Sequence, residues 1–92
     1  MIFLSVMATV AIYAQSVTVK GTVIDADNNE PLIGVSVLEV GTTNGVVTDL
    51  DGNFTLSLKS GAKLQLSYVG YTTQELAAKA NLGTILLKPE AI

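Results

Sequence analysis

The sequence predicts an all-β domain, a small antiparallel β-sandwich of seven short strands. Three observations predict it. Apolar and polar residues alternate with a period of two along most of the chain beyond Val17, turn-forming clusters recur about every ten residues, and no stretch carries a convincing helical period. The 92 residues are enough for one domain.

The segment Met1 to Ala14 stands apart from this pattern. It has no charged side chain, and every charge in the chain lies at or beyond Lys20. An apolar run of about 13 residues suits the h-region of an export signal, whereas a membrane-crossing helix needs roughly 20. Ala14 is the expected cleavage point, so residues 1–14 are read as a signal peptide and 15–92 as the domain. Secretory signals normally open on Lys or Arg, which are absent from this segment, so the start is expected a few codons further upstream. An uncleaved apolar strand or an interfacial anchor is the alternative. The lack of Cys removes disulfides and the acylation site of a lipoprotein.

The first strand runs from Val17 to Ile24, with Val17, Val19, Gly21 and Val23 on one face. Asp25-Ala26-Asp27-Asn28-Asn29-Glu30-Pro31 breaks it, because these side chains bond their own backbone or fix φ. Val35 to Val40 is apolar on both faces and is expected between two neighbours. The turn cluster Gly41 to Gly45 leads into a short strand, Gly45 to Asp49. Asp51-Gly52 then signals a hairpin into Phe54, Leu56 and Leu58, since Gly supplies positive φ cheaply and Asp tolerates it. Ser60-Gly61-Ala62 turns again into Leu64, Leu66 and Tyr68. Gly70 marks a bend or bulge before Tyr71 to Leu76. The segment Gln74 to Asn81 has some helix propensity but is too short to hold a helix alone, and is read as strand end and loop. Gly83 to Lys88 is the last strand, stopped by Pro89.

Composition excludes several functions. Five Lys against eight Asp and Glu give a net charge of −3, with no run of basic residues for phosphates, so nucleic acid is not expected as a partner. With no His and no Cys, a hydroxyl nucleophile has no base of the usual kind. A pairing of Ser60 or Ser67 with Lys59 or Lys63 is conceivable, and nothing in the spacing selects one. Asp49 and Asp51 could present two carboxylates on one side of the turn for acid–base work or a metal; the favoured reading is turn and cap, because a catalytic pair also needs a walled cleft. Asp25, Asp27, Asn29 and Glu30 imitate the start of a calcium loop but fail it. Glu30 stands where the turn needs Gly, and Ser36 where a bidentate Glu is required. Tyr68 and Tyr71 flank Gly70 and could stack on a sugar ring or a partner, or fill the end of the core with hydroxyls in water. An exposed edge strand is a further surface for a partner strand. The expectation is a non-enzyme without cofactor or metal, with Tyr68, Tyr71, Asp49 and Asp51 as candidate interaction residues.

With these motifs laid out, the chain resembles the carboxypeptidase regulatory-like domain. The resemblance rests on Gly21-Thr22-Val23, Pro31-Leu32, Gly34-Val35, Gly41-Thr42, Gly45 with Thr48-Asp49, Asp51-Gly52-Asn53-Phe54, and Leu66-Ser67-Tyr68-Val69-Gly70-Tyr71. It implies a seven-stranded prealbumin-like (transthyretin-like) sandwich. Zinc carboxypeptidase chemistry is not implied, since a chain without His lacks its ligands. The wording SYVGYTTQE after TDLDGNFTL looks most like the domain at the N-terminus of SusC-like TonB-dependent outer-membrane receptors. There it is an extension facing the periplasm, followed by a TonB-interacting segment, a plug and a barrel. The expectation is therefore an exported, non-enzymatic accessory domain without plug or barrel, at the periplasmic face of the outer membrane in a glycan-uptake system. Its implied partner is a protein there or the rest of a receptor. The alternative is a free-standing exported module that binds a carbohydrate or a peptide.

Overall fold

The computed structural model describes residues 16–90; the signal peptide read at 1–14 lies outside them. Seven strands follow in order: β1 (Ser16–Asp25), β2 (Ser36–Glu39), β3 (Gly45–Val47), β4 (Asn53–Lys59), β5 (Lys63–Ser67), β6 (Gln74–Ala77) and β7 (Asn81–Leu87). They form two sheets, one of order β4-β1-β7 and one of order β3-β2-β5-β6. As the apolar content of both faces of its segment suggested, β2 sits between two neighbours. The segment Gln74 to Asn81, read as strand end and loop, is not helical but holds more strand than that: Gln74–Ala77 is the whole of β6, 78–80 connect, and Asn81 opens β7.

The inner faces pack as the period-two pattern requires. β4 alternates strictly, with Phe54, Leu56 and Leu58 buried and Thr55, Ser57 and Lys59 in water. These three meet Val19 and Val23 of β1, Val35 and Val37 around β2, Leu64 and Leu66 of β5, and Ile85 and Leu87 of β7 in one core. Burying each such side chain contributes about 1.5–3 kcal/mol relative to leaving it in water. Gly21 lies directly opposite Phe54 in the β1–β4 ladder. A Cβ there would come within 2.8 Å of the Phe54 ring, so the glycine makes room for the aromatic side chain.

Two expectations need correction. The sandwich is not antiparallel throughout: β1 pairs with β7 in parallel, Val23 opposite Ile85 and Asp25 opposite Leu87, so the three-stranded sheet is mixed. β6 delivers the chain to the end where β1 begins, so β7 must run in the direction of β1. Side-chain alternation is identical for both directions and carries no information on this. Nor does Asp51-Gly52 close a hairpin. The turn forms, with the Gly52 N–H donating to Asp49 O at 2.9 Å and the Asp49 N–H to Asn53 O at 3.0 Å. Yet β3 and β4 belong to different sheets, because Phe54 must enter the core from the opposite side.

The strand directions gather the β1–β2, β3–β4 and β5–β6 connections at the end where β7 finishes. This end is called the C-terminal pole below. Residues 88–90 stay attached to it: the Thr72 N–H donates to Lys88 O and the Glu90 N–H to Gly70 O, both at 2.9 Å.

Candidate interaction site

All four residues singled out in the sequence lie on connections at the C-terminal pole. Tyr68 and Tyr71 frame a tight turn in which the Tyr71 N–H donates to Tyr68 O at 3.0 Å and Gly70 takes a φ of 88°. That conformation is cheap only for glycine. The two rings are 5.6 Å apart between centroids and inclined at 37°, which is a tilted pair and not a flat platform.

The structure joins Tyr71 to a residue the sequence had placed in a surface loop. Its hydroxyl donates to Asp25 Oδ2 at 2.5 Å, across 46 positions of sequence. Asp25 is 6% exposed, and its other oxygen accepts the backbone N–H groups of Asp27 at 2.7 Å and Asn28 at 3.2 Å. Both carboxylate oxygens are thus engaged. The Tyr71 bond, reinforced by the Asp27 amide, holds the Asp25 carboxyl below its ordinary range against the opposing effect of burial. The same bond, with burial and the nearby negative charge, pushes the Tyr71 hydroxyl up to about 12. The pair is a clasp between the end of β1 and the β5–β6 connection. A partial signal existed in the sequence: Asp25 followed by Ala-Asp-Asn-Asn favours a carboxylate that bonds the amides after it. Its tyrosine partner could not be read.

Asp49 and Asp51 are two residues apart in the β3–β4 turn. Asp49 Oδ1 accepts the N–H groups of Asp51 and Asn53, each at 2.9 Å. Asp51 points its charge into water. The neighbouring Thr48 was visible in the sequence only as part of a motif, with no role assigned to its side chain. It is 3% exposed; its hydroxyl donates to Leu32 O at 2.6 Å and accepts the Val35 N–H at 2.9 Å. It thereby locks the β3–β4 connection to the β1–β2 connection. Among the described residues no group of three or more His, Cys, Asp or Glu side chains is placed to hold a metal ion. Nor is any helix there long and apolar enough to cross a membrane.

Comparison with known proteins agrees with this architecture. The chain is 48% identical over 85 residues to the TonB-dependent receptor SusC of Bacteroides thetaiotaomicron, a match covering 92% of this chain and 8% of the receptor. It is 37% identical over 76 residues to the TonB-dependent receptor P3 of Formosa agariphila, covering 79% of this chain and again 8% of the receptor. The chain therefore spans less than a tenth of the length of these relatives. Among solved structures, a chain of the type II cohesin–X-dockerin complex from Acetivibrio cellulolyticus superposes with a TM-score of 0.61 at 26% identity, covering 77% of this chain and 56% of that one. Residues 19–91 match the CarboxypepD_reg-like domain, and this chain belongs to that family.

Proposed function

We propose that the chain is an exported, non-enzymatic accessory domain of a SusC-like TonB-dependent receptor system. On this reading it is a prealbumin-like sandwich with one mixed sheet, positioned at the periplasmic face of the outer membrane and acting through protein contacts. The observation that carries the reading is the 48% identity to a TonB-dependent receptor over 92% of the chain. Export is supported by the uncharged apolar segment 1–14. A non-catalytic role is supported by the residue types: the chain has no His or Cys. Asp25 and Asp49 at the C-terminal pole moreover spend their bonds on backbone amides and a tyrosine hydroxyl.

The test is fractionation of cells producing the chain with a C-terminal epitope tag. The tag is expected in the periplasm or with the outer membrane, on a product shortened by about 14 residues, the length of the apolar segment. A full-length cytoplasmic product would sink the proposal.

A further inference from the structure

We infer that the C-terminal pole is a docking surface for a basic protein partner, one that presents an apolar centre ringed by Lys or Arg. The inference rests on the reading of the chain as an interaction domain and names the surface and the chemistry of its partner. Among the described residues the large exposed apolar side chains are unevenly distributed. Ile33, Val47, Leu50, Tyr68 and Val69 all sit on or beside the three connections of this pole, while the opposite end has only Val40 and the flank of β7 only Leu86. Leu50 is 77% exposed and Val69 94%. Aliphatic side chains at the tips of two loops of one pole do nothing for the core. An exposed apolar patch rimmed by polar groups is the usual mark of a protein-binding surface.

The loops that carry the patch are held in place. The Gly34 N–H donates to Thr48 O at 3.0 Å, and the Thr48 hydroxyl bonds Leu32 and Val35. Between the β1–β2 and β5–β6 connections lies an open groove of about 460 Å³ lined by Gly34, Ser36, Ser67, Tyr68 and Val69. Ordering before contact lowers the entropy lost on binding.

Charge selects the occupant. Asp27, Glu30, Asp49 and Asp51 are exposed on the same connections and Glu90 on the segment after β7, where Lys88 is the cation beside them. Lys59, Lys63 and Lys79 lie at the opposite end with the buried Glu39, and Lys20 and Glu75 lie along β1 and β6, so the exposed charge at the C-terminal pole is mostly negative and that at the opposite end positive. A negative rim attracts a basic protein surface and repels anionic lipid or the same pole of a second copy. A sugar is the poorer fit, because the tips are aliphatic and the two tyrosine rings are tilted against each other.

The experiment uses the full chain, ¹⁵N-labelled, titrated with the synthetic peptide Lys-Lys-Leu-Val-Leu-Lys-Lys and with its Glu-for-Lys counterpart. The basic peptide is expected to shift amides of residues 30–34, 47–51 and 68–70, with affinity falling about tenfold between low and physiological-to-high salt as charges are screened. The acidic peptide is expected to shift none. The double variant Leu50→Asp/Val69→Asp, with unchanged circular dichroism, is expected to lose the response, and Asp27→Lys/Asp51→Lys to exchange the preference for the acidic peptide. The inference is overturned by silence at millimolar basic peptide, by shifts centred on Lys59 and Lys63, or by equal response to both peptides. It is overturned equally if phosphatidylglycerol vesicles, maltoheptaose or self-association perturb these amides instead. Should the pole fail while the tagged chain still fractionates with the outer membrane, only the docking surface is lost. A cytoplasmic product would remove the broader reading whatever the titration shows.

Discussion

Replacing Thr48 by Val removes one hydroxyl and keeps the shape of the side chain. The hydroxyl donates to the Leu32 carbonyl and accepts the Val35 amide, in a site where Thr48 is 3% exposed and Val35 fully buried. The substitution leaves both backbone groups without this partner, and each buried group left unpaired costs about 1–3 kcal/mol. A loss of about 3 kcal/mol is expected, against about 4–11 kcal/mol of total stability for a domain of this size. Thr48→Ser keeps both bonds and loses a methyl group, at a cost of about 1 kcal/mol. The assay is urea unfolding followed by far-ultraviolet circular dichroism, since the chain has no Trp. The Val variant should unfold at a clearly lower midpoint with an unchanged slope. Its melting temperature should fall by about 12–24 °C. If the Val and Ser variants unfold within about 0.5 kcal/mol of each other, the bonds do not hold the two loops together and the reasoning fails.

Other outcomes follow from the same geometry. Gly21→Ala should destabilise by about 1–3 kcal/mol through overpacking against the Phe54 ring, and Phe54→Leu in the same chain should recover part of that loss; additivity of the two changes in a double-mutant cycle would count against the contact. Titration of phenolate absorbance at 295 nm should show one tyrosine ionising near about 12, a transition that Asp25→Asn moves back toward 10; its absence from the native chain would remove the clasp. The stability difference between the native chain and Tyr71→Phe should depend on pH in both directions. The Asp25 pKa is lowered on folding, so its contribution is present above the ordinary carboxylate range and is lost as the pH falls below it. The Tyr71 pKa is raised from 10.0 to about 12, so its contribution is complete below 10 and is lost as the pH rises through about 12. A difference that stays constant across both windows would contradict the bond.

Much of the fold was legible because local pattern and local chemistry carry it. Alternation at Phe54, Leu56 and Leu58 marked a buried face of β4, and the same argument placed Leu64 and Leu66 of β5. Asp49 was expected as turn and cap, and its carboxylate does bond the amides of Asp51 and Asn53. The Asp-Gly signal was right about the turn and wrong about what the turn joins: its chemistry is settled within five residues, whereas the sheet each strand enters depends on the rest of the core. Of the site, the four candidate positions were visible as residue types, but their convergence on one pole was not. Asp25 illustrates why. Its capping role belongs to its immediate neighbours, while its bond to Tyr71 needs β1 and the β5–β6 connection to end at the same height.

By itself the sequence determined the family, the number of strands, the position of the turns and which side chains enter the core. These depend on interactions between residues a few positions apart and on a period of two that any sheet imposes. Only the tertiary structure decided the strand order, the parallel pairing of β1 with β7, and the meeting of Asp25 with Tyr71. It also decided that five exposed carboxylates and five exposed apolar side chains share one end of the molecule. Alternation states that a residue faces inward or outward; it does not say which strand lies beside it or in which direction that strand runs. Those choices follow from closing both sheets over a single core, and they turn scattered charges into a surface with a sign.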